Sequence, residues 1–282
     1  MLPSWQKRRR KNLMKKDRPL IFRAILLITF LVMVSLSNHG CDAIPKRHFE
    51  SAEKMWTEGD YKGALKEYEK IIEDYPKSTV ADDAYYWQGL TYYLSLNNTD
   101  SALNSFQTLV NKYPGSEYFF QAQMYIADIY DKKKGNYRQA ITEYQKIIEH
   151  SNNKELIEEA RFNTAEAYFK LGDLNQARIE WDLEINQIPN GKYADEAYYK
   201  IATTYFIQGR YQESLEHYQR FLAKYPESKL ILDAKFAIGN CLEEQDNIPE
   251  ALKMYRSIAG SYPNKRIVAT KIAVLQKRMA KE

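Results

Sequence analysis

From Tyr211 to Leu222, the residues Tyr211, Ser214, Leu215, Tyr218, Phe221 and Leu222 recur at i, i+3, i+4, i+7, i+10 and i+11, which is one face of an α-helix. Polar residues fill most of the positions between them. The pattern is copied along the chain. A small residue followed four later by an aromatic appears at Ala64/Tyr68, Ala102/Phe106, Ala140/Tyr144, Ala177/Trp181, Ser214/Tyr218 and Ala251/Tyr255, at intervals of 38, 38, 37, 37 and 37 residues. Upstream of each of the last five pairs stands a second small residue: Ala84, Ala122, Ala160, Ala197 and Ala234. Five residues after those come Gly89, Ala127, Ala165, Ala202 and Gly239, with Ala52 in the matching place of the first unit. Each unit therefore reads as two helices.

Turn chemistry supports that division. Within units lie Gly59-Asp60-Tyr61, Gly135-Asn136-Tyr137, Gly172-Asp173-Leu174 and Gly209-Arg210-Tyr211, where glycine suits a left-handed helix end and Asp or Asn suits the next N-cap. Between units lie Tyr75-Pro76-Lys77-Ser78, Tyr113-Pro114-Gly115-Ser116, Tyr225-Pro226-Glu227-Ser228 and Tyr262-Pro263. There proline stops one helix, and the serine is expected to cap the next. Where helices of neighbouring units cross, only Gly- or Ala-sized side chains let the backbones approach while aromatics fill the flanks. No single pair can bury its apolar face alone, so the pairs must stack. The expected fold is all-α: a superhelical solenoid of six helix-turn-helix repeats over 47–263. A capping helix over 264–282 would follow, with Lys271, Lys277, Arg278 and Lys281 outside its apolar side.

Composition changes the picture once the charge is located. The chain of 282 residues carries 41 basic and 37 acidic groups, a net +4. Residues 1–40 hold nine of the basic groups against the single acid Asp17, leaving a body at −4 with no surplus of cations for nucleic acid. The basic start runs into the apolar stretch Ala24 to Val34 and then Ser35-Leu36-Ser37-Asn38-His39-Gly40-Cys41, the order of a secretory signal over 1–40. Met14-Lys15-Lys16 is itself an ordinary signal start, so translation from Met14 is an alternative. Another is an uncleaved membrane anchor from Pro19 to Ser37. Gly40-Cys41 resembles the bacterial lipobox, although Asn38 and His39 stand where that pattern prefers an aliphatic and a small residue. The resemblance implies a lipid on Cys41, with 41–46 as a short tether. Asp42 resembles a signal for retention in the inner membrane, so the outer membrane is expected and the inner stays open.

The repeats resemble the tetratricopeptide repeat (TPR) over about 45–282, in the small residue and tyrosine of the first helix, the Ala-x-x-x-aromatic of the second and the closing proline. With Tyr-Pro-x-Ser hinges behind a lipoprotein-like leader, the chain is similar to the TPR lipoproteins of the β-barrel assembly machinery (the BamD type) and to the TPR domain of Tol-Pal coordinators. It lacks the coiled coil of the latter and exceeds the five repeats usual in the former. The resemblance implies a right-handed superhelix with the first helices lining a concave face. It also marks two positions per unit as groove-facing: Phe49 and Trp56, Tyr86 and Tyr93, Met124 and Asp131, Phe162 and Phe169, Tyr199 and Phe206, Phe236 and Glu243. Of these, Phe49, Trp56, Tyr86, Tyr93, Phe162, Phe169, Tyr199 and Phe206 are the candidate peptide contacts. Such rings offer large contact area at small entropic cost.

Catalysis finds no support. The four histidines, His39, His48, His150 and His217, are scattered, and no phosphate loop or metal-ligand spacing is present, so no enzyme, metal or cofactor is expected. Cys241 lies on the apolar stripe of Phe236, Ile238 and Leu242 and reads as a small buried side chain. The expected protein is a periplasmic scaffold, anchored through Cys41 or through an uncleaved N-terminal helix. It would bind envelope proteins or peptide segments in outer-membrane β-barrel assembly, in Tol-Pal-like coordination of constriction, or as an inner-membrane subunit of a larger complex.

Overall fold

The computed structural model describes residues 42–280; the signal segment, Met14 and Cys41 lie outside them. The described residues form paired helices and no strand. The pairs are α1 (Ala43–Thr57) with α2 (Tyr61–Asp74), α3 (Ala81–Leu90) with α4 (Thr99–Lys112), α5 (Phe119–Asp128) with α6 (Tyr137–His150), α7 (Lys154–Leu171) with α8 (Leu174–Gln187), α9 (Ala194–Ile207) with α10 (Tyr211–Lys224), and α11 (Ile231–Glu244) with α12 (Ile248–Ile258). The single helix α13 (Lys265–Met279) follows. Contacts divide the chain into two compact units, one ending at Leu109 and the other beginning at Val110, within α4. In the second unit each helix from α5 to α13 packs against the next in sequence.

Each pair is fastened at one place. The second-helix residues Ala64, Ala102, Ala140, Ala177, Ser214 and Ala251 are fully buried, and the aromatics four later are at most 2% exposed. These rings lie against the small residue of the first helix. A Cβ added to Gly89 would stand 2.6 Å from the Phe106 ring, and one added to Gly239 would stand 2.5 Å from Tyr255. Burying such a ring contributes on the order of 2–3 kcal/mol per unit. Ser214 fits where the other units have alanine because its hydroxyl donates to the Ala202 carbonyl at 2.9 Å. At the C-terminal end, Val268, Ile272 and Leu275 of α13 join the cluster built from α9 to α12.

The two unequal repeat intervals have a local cause. In the second and third units the first helix ends in a π turn, Thr91–Ser95 and Ile129–Lys133, closed by Leu96 N–H to Thr91 O at 3.1 Å and Lys134 N–H to Ile129 O at 3.0 Å. A π turn inserts one residue. The left-handed residue that ends the helix therefore comes eight after the small residue in these units (Gly89 to Asn97, Ala127 to Gly135). It comes seven after in the others (Ala52 to Gly59, Ala165 to Gly172, Ala202 to Gly209, Gly239 to Asp246).

Three local expectations change. Ala43 to Lys46, expected as tether, form the first turn of α1; Pro45 is tolerated there because a first-turn N–H has no intrahelical acceptor. The hinge serines stand two residues ahead of the N-cap, not on it: α3, α5 and α11 are preceded by Val80, Tyr118 and Leu230. Ser116 and Ser228 instead accept the N–H two residues on, at 3.2 and 3.1 Å. The Asp60, Asn136 and Asp173 caps accept from the N–H three residues on.

The fourth pair departs from the rest. At the core position held by Ile71, Leu109, Ile147, Phe221 and Ile258, α8 has Glu184, and where the others have Leu65, Leu103, Ile141, Leu215 and Leu252 it has Arg178. Arg178 is provided for: its guanidinium donates to Thr204 Oγ1 at 3.1 Å and Gln208 Oε1 at 2.8 Å, and it lies over the Tyr205 ring. Glu184 is not. It is fully buried, neither carboxylate oxygen accepts a hydrogen bond, and Arg161 Nη1 stands 4.0 Å away. Burial, reinforced by the Glu158 charge, pushes its pKa up from 4.5 to about 7.

Gly172 has φ +85°, a conformation that a Cβ strains by about 1–2 kcal/mol. Gly172→Ala is therefore expected to lower the thermal midpoint by that equivalent, read by circular dichroism. For Glu184 the folded pKa lies above the unfolded one, so the protonated acid is favoured on folding and stability falls as pH rises from about 4.5 to about 7. In urea titrations at pH 5 and pH 7.5, the parent is expected to lose stability at the higher pH. Glu184→Leu should flatten that fall and gain about 2 kcal/mol at pH 7.5; an unchanged pH slope refutes the assignment.

Candidate peptide-binding site

The residues three before each first-helix small residue face the second-helix aromatics of their own pair. Phe49 lies 5.9 Å from Tyr68, Tyr86 6.1 Å from Phe106, Tyr199 5.2 Å from Tyr218 and Phe236 5.5 Å from Tyr255, ring centre to ring centre. Of the residues four after it, Trp56 and Phe206 brace the turn into the second helix, against Tyr61 and Tyr211, while Phe169 leans on the buried Trp181. Most of these side chains, Tyr93 included, are half-buried, so one edge packs and another stays open. Phe162 is the exception and corrects the expectation. It is 6% exposed, stacked at 4.6 Å on Tyr193 and enclosed by Ala165, Trp181 and Ile201, because Tyr193 of the following turn covers its outer face.

At the positions without aromatics, ion pairs take over. Met124 is buried. Asp131 is 5% exposed and receives Lys170 Nζ on both oxygens, at 2.7 and 2.9 Å. Glu243 receives Lys271 Nζ of α13 at 2.7 Å and the Tyr255 hydroxyl at 3.1 Å. These acids are held by cations from a later helix and so present no uncompensated charge to a ligand.

Three of the marked positions converge. Tyr199, Thr203 and Phe206 of α9, Tyr218 of α10, Asp233, Phe236, Ala237 and Asn240 of α11, and Tyr262 from the turn before α13 line one open pocket of about 200 Å³. Its walls are rings: Tyr262 stacks on Phe236 at 5.0 Å with a 15° interplanar angle. Its polar atoms are held in place. Tyr262 Oη donates to Asp233 Oδ1 at 3.0 Å, and Thr203 Oγ1 and Tyr218 Oη share a hydrogen bond at 2.8 Å. Burial, with the Asp233 hydrogen bond and charge adding to it, pushes the Tyr262 pKa up to about 12, and burial likewise raises Tyr218, so both phenols stay protonated donors. An apolar cup with a few fixed donors and acceptors suits the side chain of a bound peptide. The sequence pattern marked Tyr199, Phe206 and Phe236 but missed Tyr262 and Asp233. Tyr262 belongs to the hinge motif, which reads only as a turn signal.

Among the described residues, no group of three or more His, Cys, Asp or Glu side chains could hold a metal. Cys241 is fully buried, and burial raises its thiol pKa, leaving it an inert core side chain. No helix of the described residues is long and apolar enough to cross a membrane.

Comparison with known families assigns the repeats. Tetratricopeptide repeat models match residues 131–192 and 193–262, and a model described as an outer membrane lipoprotein (YfiO) matches 41–132. The chain is a tetratricopeptide-repeat protein. Its N-terminal part, residues 41–132, is similar to the BamD-like outer membrane lipoprotein family. Both families are protein-interaction scaffolds without catalysis, and the repeat protein is such a scaffold. A search of curated proteins returned no significant match. Among solved structures, it resembles PilW, a widely conserved type IV pilus biogenesis factor (TM-score 0.55, 15% identity, covering 81% of this chain and 98% of that one). A tetratricopeptide repeat protein from Parabacteroides merdae gives TM-score 0.58 at 15% identity over 83% and 87% of the two chains. YrrB, described as a TPR protein with an unusual peptide-binding site, gives 0.51 at 22% over 72% and 96%. At these identities the likeness is one of fold.

Proposed function

We propose that this repeat protein is an envelope scaffold, tethered to the outer membrane through a lipid on Cys41, that holds peptide segments of protein partners in outer-membrane β-barrel assembly. One observation carries the reading. The match to the outer membrane lipoprotein family begins at Cys41, the residue at which the export-like leader ends. With α1 beginning at Ala43, the lipid and the first helix are nearly adjacent, so the N-terminal repeats work close to the bilayer. The aromatic pocket between α9 and α11 is the peptide contact, and Phe49, Trp56, Tyr86, Tyr93 and Phe169 extend the same chemistry to other repeats.

Intact mass of the protein purified from its native membrane is expected to show loss of residues 1–40 and a diacylglycerol adduct on Cys41. A full-length product with unmodified Cys41 would instead mean an uncleaved anchor. For the pocket, a photo-crosslinking residue at Ala237, which lines the cup, is expected to trap a β-barrel assembly component in living cells. Ala237→Arg fills the cup without removing a packed ring and should abolish capture at an unchanged melting midpoint, whereas capture that survives it refutes the pocket. Adducts with Tol-Pal components alone would replace barrel assembly with the constriction role.

A further inference from the structure

The six pairs serve as controls for one another on their outward side as well. Two residues after the buried small residue of the second helix stand Lys66, Asn104, Thr142, Glu216 and Lys253; six after it stand Lys70, Thr108, Lys146, Arg220 and Ser257. All ten are polar. The fourth pair has Ile179 and Leu183 there, 51% and 42% exposed and four residues apart on one face of α8. This is no rotation of the helix, since Ala177 and Trp181 remain fully buried on the opposite side. Charge changes with them. Every other second helix exposes a cation, Lys62, Lys112, Arg138, Arg220 or Lys253, whereas the only basic residue of α8, Arg178, is buried. The exposed charge beside the apolar pair is Asp182.

We propose that the outward face of α8 docks an amphipathic helix of a partner protein, one carrying Lys or Arg beside its apolar stripe. An i, i+4 apolar ridge is the shape that interdigitates with another helix. With Asp182 exposed and no exposed cation on α8 itself, the face favours a basic partner and disfavours an acidic one. A second copy pairing through this same face would set Asp182 against Asp182, which disfavours it as the occupant. This surface uses none of the residues of the α9–α11 pocket, so it stands whether or not that pocket binds peptide.

The test uses the full chain in zwitterionic lipid nanodiscs and two fluorescent probes, an 18-residue Leu/Lys amphipathic helix and its Leu/Glu counterpart, read by anisotropy against empty nanodiscs. The Leu/Lys probe is expected to bind at least tenfold more tightly than the Leu/Glu one. Ile179→Ser with Leu183→Ser should weaken it at least fivefold; polar residues at these positions in the other five pairs make this variant compatible with folding. In parallel, a photo-crosslinker at position 179 in cells should yield an adduct whose partner peptide has apolar residues three or four apart with Lys or Arg between, and none should form from position 216. Equal binding of the two probes, no effect of the serine variant, an adduct with a second copy of the chain, or an adduct peptide lacking that pattern each overturns the proposal.

Discussion

Everything in this fold depends on a ring lying across a residue with almost no side chain. Tyr68, Phe106, Tyr144, Trp181, Tyr218 and Tyr255 are too large to be buried between two helices unless the facing helix gives way, and Gly89 and Gly239 give way completely. That contact sets the spacing within a pair. It also positions the half-exposed rings, because Phe49, Tyr86, Tyr199 and Phe236 each lean on the same buried aromatic. The rings offered to a ligand are therefore the outer layer of the packing itself. Their geometry is fixed before any partner arrives, which lowers the entropy lost on binding.

The repeat made the helices legible, since a pattern copied six times averages out the noise that blurs any single helix. Small residue, aromatic, glycine turn and proline hinge each have one physical reading, and they agree. What the sequence hid is what depends on neighbours in space. Phe162 carries the same signal as Tyr199 or Phe236, yet it is buried, because Tyr193 from the following turn lies flat on it. In the pocket a different turn residue, the hinge tyrosine Tyr262, stacks on Phe236 and also donates to Asp233, so there the ring makes a wall and leaves the cup open. One first-helix position yields two outcomes, and only the packing tells them apart.

The period of 38 is a case where the sequence carried the information without its cause. A single added residue in a helix-turn-helix unit could lengthen a loop or a helix. Here it is absorbed as a π turn at the end of the first helix, in α3 and in α5, after which the chain returns to the same left-handed turn and the same cap position. Absorbing the insertion there keeps the small residue and its ring in register, because both lie ahead of or beyond the widened turn. An insertion in the middle of either helix would rotate everything after it by about 100° and turn the ring out of the core.

The fourth pair shows how far such a framework can be bent. Its second helix has two charged residues where its counterparts have apolar ones and two aliphatics where they have polar residues, while Ala177 and Trp181 keep the fastening contact. Folding does not ask for these exchanges. Arg178 needs a dedicated set of acceptors from α9, Glu184 has none, and Ile179 and Leu183 leave about half of their surface in water. An exposed apolar pair confined to one second helix out of six otherwise alike is what a docking surface would require. The ring and its small partner make this possible, since a pair held at one point leaves the rest of its helix free to change.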